Sequence, residues 1–159
     1  MESIIQAVNN DGPSNLESHL GYWLRLVSNQ VSSEFARALS LRNISVAEWT
    51  AMRRLYDGEG LKPSDLASSM GMTQGAISKV IDKLEAKRWV DSFDDHFDGR
   101  SRVLLVSDAG REAVPTLSKI ADQNDVHFFG PLSGRERKAI RKILIHIAEI
   151  HGWHEIPTT

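Results

Sequence analysis

Between Leu61 and Ser107 the chain carries two helix signals parted by a tight turn, then two strand-like runs parted by a polar loop. Pro63 fits the first turn of a helix, where its missing N–H costs nothing. Leu66, Ala67 and Met70 recur at helical spacing, which predicts a first helix over Pro63–Met70. Gly71-Met72 supplies the turn. Thr73 is a natural N-cap for a second helix to about Lys87, with Ile77, Val80, Ile81 and Leu84 facing inward. Trp89–Phe93 and Arg102–Val106 read as strands around the loop Asp94–Ser101. This order reads as a winged helix-turn-helix, in which one helix suits a major groove and the loop reaches the backbone or minor groove.

Composition bounds the alternatives. The 159 residues make one domain, or one domain with a helical dimerisation layer. There is no cysteine, so disulfides, thiolate zinc sites and thiol redox switches are excluded. No apolar run approaches the ~18 residues of a membrane span, and Met1–Asn10 lacks the basic and apolar parts of a secretory signal. A cytoplasmic protein without membrane contact is expected. The net charge of −2 counts against DNA binding, and between Leu61 and Ser107 basic and acidic side chains balance. The DNA argument therefore rests on where the charges stand.

Long amphipathic helices flank the motif. Leu16, Leu20, Trp23, Val27, Val31, Phe35 and Leu39 follow a three-to-four spacing that predicts one helix from a cap at Ser14 or Asn15. Asn43 marks a turn. Ser45 or Val46 opens a helix through Tyr56, buried through Trp49, Met52 and Leu55, and Asp57-Gly58-Glu59-Gly60 ends it. Ser107 or Asp108 caps a helix to about Phe129 that Pro115 can kink. Gly130-Pro131 stops it. Ser133-Gly134-Arg135-Glu136 is a capping box before a last helix striped by Ile140, Ile143, Leu144, Ile147 and Ile150 and ending near Gly152. These helices exceed what one small winged helix can cover. They enlarge a monomer core, or they build a two-fold dimer whose recognition helices stand roughly 34 Å apart, one DNA turn.

The run Leu66-Ala67, then Met70-Gly71-Met72-Thr73-Gln74-Gly75-Ala76-Ile77-Ser78-Lys79 and Leu84-Glu85-Ala86-Lys87 resembles the helix-turn-helix of the MarR (multiple antibiotic resistance regulator) family. Asp98-Gly99-Arg100-Ser101, followed by Val103–Ser107 and Gly110, is similar to that family's wing and the start of its fifth helix. The resemblance covers about Leu16 to Ile150. It implies a mainly α fold with a small β-wing: a winged helix-turn-helix plus a helical dimerisation region, forming an intertwined homodimer. The divisions expected are an N-terminal arm (1–14), dimerisation helices (15–44 and 108–152), a DNA-binding domain (45–107) and a C-terminal tail (153–159). The implied function is transcriptional regulation, usually repression, released by a small phenolic or aromatic acid. The chain departs from the family at His96-Phe97, where basic residues are common, and at Arg88, where glycine is common and the turn is expected to differ.

On the second motif helix, Gln74 and Ser78 can hydrogen-bond base edges, and Lys79 can reach a guanine or a phosphate. Lys83 lies on the same face. Gly75 and Ala76 permit close approach, and Thr73 combines capping with a phosphate contact. Arg100, at the wing tip, can enter a narrow minor groove or grip a phosphate. Asp98 would orient it through a charge-assisted bond, with Ser101 alongside. The blander alternative is a solvated helix face and a surface ion pair of little weight.

The family's pocket lies between the dimer helices and the DNA-binding lobe. His19, Tyr22, Trp23, Arg25, Ser28, Asn29, Trp49 and Arg53 would line it here, a set suited to a planar aromatic carboxylate; core packing is the alternative for Trp23 and Trp49. No cofactor is implied. His146, His151 and His154 sit near the last helix, with His127 and Glu149 nearby in sequence, but the separation of five between His146 and His151 is off the same-face spacing, so no metal site is expected. No phosphate loop, nucleophile elbow or HExxH pair occurs, so no enzyme is expected. The competing function is a winged helix that binds protein.

Overall fold

The computed structural model describes residues 12–94 and 102–153. Six α-helices and one two-stranded sheet follow in the order α1 (Leu20–Ser40), α2 (Val46–Tyr56), α3 (Pro63–Ser69), α4 (Gln74–Ala86), β1 (Val90–Asp94), β2 (Arg102–Val106), α5 (Asp108–Phe129) and α6 (Gly134–Ile150). The mainly helical fold with a small antiparallel wing is as expected.

The first helix starts later than its apolar spacing predicts. Asn15 caps a short 3-10 turn, Leu16–Ser18, and α1 begins only after an extended residue, His19. Local side chains explain the break. The Ser18 hydroxyl donates to the Asn15 carbonyl at 2.5 Å, and His19 Nδ1 lies 3.1 Å from the same oxygen. The Trp23 indole donates to the Glu17 carbonyl at 2.8 Å. These bonds occupy carbonyls that a continuous helix would have used.

The core sits in the winged helix. Trp49, Met52 and Leu55 of α2, Leu66 and Ala67 of α3, and Ile77, Val80, Ile81 and Leu84 of α4 are buried together. Leu39 closes this core from the end of α1, and Val114 and Leu117 from α5. Asn43 takes the left-handed turn conformation (φ 56°), and Ser45 and Glu48 form a reciprocal capping box at the start of α2. Ser107 caps α5 by accepting from the Gly110 N–H, and the helix continues through Pro115.

β1 and β2 pair antiparallel from Val90↔Val106 to Asp94↔Arg102. Leu61 adds a short third rung on the far side of β2, through two backbone bonds with Leu104 of 2.9 and 3.2 Å. Beyond this core the picture reverses. Leu39 is the one buried residue of α1, and α6 has none.

Candidate nucleic-acid interface

α4 divides cleanly. Four buried aliphatic residues lock its rotation against the core. Gln74, Gly75, Ser78, Lys79 and Lys83 are consequently exposed, and Ala76 is half-buried. At its start the Thr73 hydroxyl accepts from the Ala76 N–H at 3.3 Å, leaving other first-turn N–H groups available to an anion. Ser78 donates its hydroxyl to the Gln74 carbonyl at 2.9 Å, so in this rotamer it meets a base edge as an acceptor. A Cβ on Gly75 would meet nothing within 4 Å. No neighbour within the chain requires a glycine there, although glycine weakens a helix.

The other end of α4 is anchored twice. Lys87 Nζ donates to Glu48 Oε1 at 2.5 Å and lies 5.7 Å over the Trp89 ring. Glu48 is 3% exposed. Burial works to raise its pKa, but the hydrogen bonds from Lys87 and from Ser45 outweigh it and hold the carboxyl below the ordinary glutamate range. The second anchor is Glu85, whose Oε1 accepts from the Ser92 hydroxyl on β1 and from Arg102 Nη2 on β2, the latter at 2.9 Å. Sequence reasoning missed both anchors. The Ser45–Glu48 capping spacing was visible, but nothing local links Glu48 to Lys87 or Glu85 to Arg102.

Arg88 follows the helix in the left-handed conformation (φ 57°). Its N–H bonds the Glu85 carbonyl at 2.8 Å, and the Trp89 N–H bonds the Leu84 carbonyl at 3.0 Å. This is the Schellman turn that a glycine would make, so the expectation of a different turn at Arg88 is corrected: the geometry is kept and the arginine bears its strain. The wing-tip residues Asp98, Arg100 and Ser101, with His96 and Phe97, lie outside the described residues, as do 1–11 of the arm and 154–159 of the tail.

The eight residues expected to line a ligand pocket stand in different surroundings. His19, Trp23, Arg25, Ser28 and Asn29 are exposed on α1 and the turn before it, and Tyr22 is half-buried. Tyr22 and Trp23 pack edge to face at 5.2 Å. Trp49 is part of the core. Arg53 pairs with Asp57 at 2.9 Å and stacks over Tyr56, which Arg111 also covers from α5. Among the described residues hollows lie elsewhere: one of about 680 Å³ between the α1–α2 corner and α4, one of about 220 Å³ between α5 and α6, and one of about 410 Å³ along α6. None of the eight lines any of these. Among the described residues no group of three or more His, Asp or Glu is placed to hold a metal ion, and no helix is long and apolar enough to cross a membrane.

The sequence model described as MarR family matches residues 44–101. An HTH-type transcriptional repressor of Mycobacterium bovis is 24% identical over 80% of this chain and 92% of its own length. Among solved structures, BpsR of Bordetella bronchiseptica, whose DNA binding is regulated by 6-hydroxynicotinic acid, superposes with a TM-score of 0.75 at 23% identity, covering 86% of this chain and 98% of that one. The S. aureus MepR–DNA complex gives a TM-score of 0.72 at 20% identity, covering 82% and 97%. The matched relatives are transcriptional regulators, not enzymes. The match to the MarR family thus falls on residues 44–101, which hold most of the winged helix of α2–β2.

Proposed function

We propose that the chain is a homodimeric repressor that reads a pseudo-palindromic operator and releases it on binding a small aromatic phenol or carboxylate. The observation that carries the DNA reading is the division of α4 into a buried aliphatic stripe and an exposed polar face. On that face Gln74 and Ser78 read base edges, Lys79 and Lys83 take a guanine or phosphates, and Thr73 takes a phosphate at the helix start. Gly75 and Ala76 bring the backbone close. Arg100, oriented by Asp98 and flanked by Ser101, supplies the wing contact. Exposed aliphatic residues along α1 and α6 support the dimer. The effector site is assigned to His19, Tyr22, Trp23, Arg25, Ser28, Asn29, Trp49 and Arg53. Among the described residues these eight line none of the hollows described above, so the proposed site is one that a second copy would complete. The effector releases DNA by favouring a dimer with mis-spaced recognition helices.

Fluorescence anisotropy of the DNA upstream of the coding sequence, against a scrambled duplex at several salt concentrations, tests the reading. Gln74→Ala should relax base preference. Lys79→Ala should weaken binding to all sequences and lower the salt slope by about one. A uniform loss for Gln74→Ala would contradict base readout. Equal binding to both duplexes would favour a winged helix that contacts protein.

A further inference from the structure

We infer that Glu85 is a positioning residue for DNA binding: one carboxylate on the recognition helix grips both strands of the wing and sets where the wing loop meets DNA. The inference rests on the DNA-binding reading above. The wing is a single hairpin of five residue pairs, and a lone two-stranded hairpin is marginal in water. Val90, Leu104 and Val106 seat the base of the hairpin in the core, while toward the wing loop Phe93, Asp94 and Arg102 are exposed and that half has no such burial. β2 is held on its outer side by the single Leu61–Leu104 rung. Among the described residues, Glu85 supplies the polar link from the recognition helix to each strand: the Ser92 hydroxyl from β1 and the Arg102 guanidinium from β2 converge on its Oε1. Arg102 pairs across the ladder with Asp94, at the point where the wing loop leaves the sheet. The orientation of this end of the sheet therefore sets the direction in which the chain leaves β1 toward Arg100.

The sign of the effect separates this role from a passive one. A carboxylate with no structural duty on a DNA-binding module repels phosphates, so neutralising it should tighten binding, most of all at low salt. A positioning carboxylate should do the opposite.

The test uses the full-length protein and a duplex that it enriches from a random-sequence pool. Glu85→Gln is expected to bind that duplex about tenfold more weakly, with an unchanged melting midpoint. In an Arg100→Ala background it should cause no further loss, because residues acting through one contact are not additive. Arg102→Gln, which removes the β2 arm, should show the same dependence on Arg100. Equal or tighter binding by Glu85→Gln overturns the inference. So does a tenfold loss that persists in the Arg100→Ala background, or one accompanied by a lowered melting midpoint. If no duplex is enriched, the DNA-binding reading fails first and this inference falls with it.

Discussion

Arg88 and Gly110 show how tightly single positions are specified where α4, the wing and α5 meet. A Cβ on Gly110 would sit 2.2 Å from the Trp89 carbonyl oxygen and 2.7 Å from Val106 Cγ1, so the first turn of α5 can lie against the wing only with glycine there. The same junction asks for a left-handed residue at 88, and the chain supplies an exposed arginine. A left-handed L-residue costs roughly 1–2 kcal/mol, partly offset because glycine loses more backbone entropy on folding. The hydrogen bonds at this turn, including that from the Ser107 hydroxyl to the Arg88 carbonyl at 2.7 Å, use backbone atoms that glycine retains. Arg88→Gly should therefore stabilise the fold by about 0.5–1 kcal/mol, measured by urea denaturation at fixed protein concentration. An unchanged or lower stability would show that the turn carries no such strain.

Between elements, the Glu48–Lys87 pair joins the start of α2 to the end of α4, with side chains only 4% and 21% exposed. The folded state holds the Glu48 carboxyl below its unfolded pKa. Its contribution is accordingly complete above the ordinary glutamate pKa of about 4.3 and is lost as the pH falls through the lower folded value. Lys87→Met removes the cation and leaves a buried carboxylate unpaired, which should cost about 3 kcal/mol at neutral pH. With its main partner gone, burial raises the Glu48 pKa and the residue can protonate. The gap between wild type and Lys87→Met should thus narrow as the pH is lowered from 7 toward 4. A gap that stays constant over that range would mean the pair contributes nothing electrostatic. What sequence could reach divides along the same line. Signals within a few residues were legible: the Pro63 start, the Thr73, Ser107 and Ser133 caps, the Gly71 turn and the apolar stripes of α2, α3 and α4. So was the exposed face of α4, because burying one stripe fixes the other. Contacts 39 and 17 residues apart, Lys87 to Glu48 and Arg102 to Glu85, leave no periodic trace. The break before α1 was missed because an apolar repeat does not register Ser18 and His19 bonding back to Asn15.

At the scale of the molecule, the unequal distribution of burial is the feature that demands an explanation. The winged helix is filled, while Ile143, Leu144, Ile147 and Ile150 of α6 remain 57%, 45%, 37% and 63% exposed and Leu20 of α1 is 84% exposed. Soluble monomers rarely leave a continuous aliphatic stripe of this kind uncovered. In the proposed dimer a second copy covers it, which would contribute on the order of 1.5–3 kcal/mol for each side chain that becomes fully buried and would place two recognition helices on one duplex. A charge in the middle of the stripe must then be desolvated once per subunit. The double substitution Ile143→Asp/Ile147→Asp should convert a dimer into a monomer in sedimentation equilibrium at micromolar concentration. The fold of each winged helix should persist, because neither residue belongs to its core, and circular dichroism would report retained helix. DNA affinity should fall by more than tenfold, since half-sites are no longer bound jointly. A double variant that still sediments as a dimer would place the interface on another face and leave the α6 stripe without an occupant. A monomer that kept full affinity would instead show that one winged helix suffices for the operator, and the spacing of half-sites would lose its role in release.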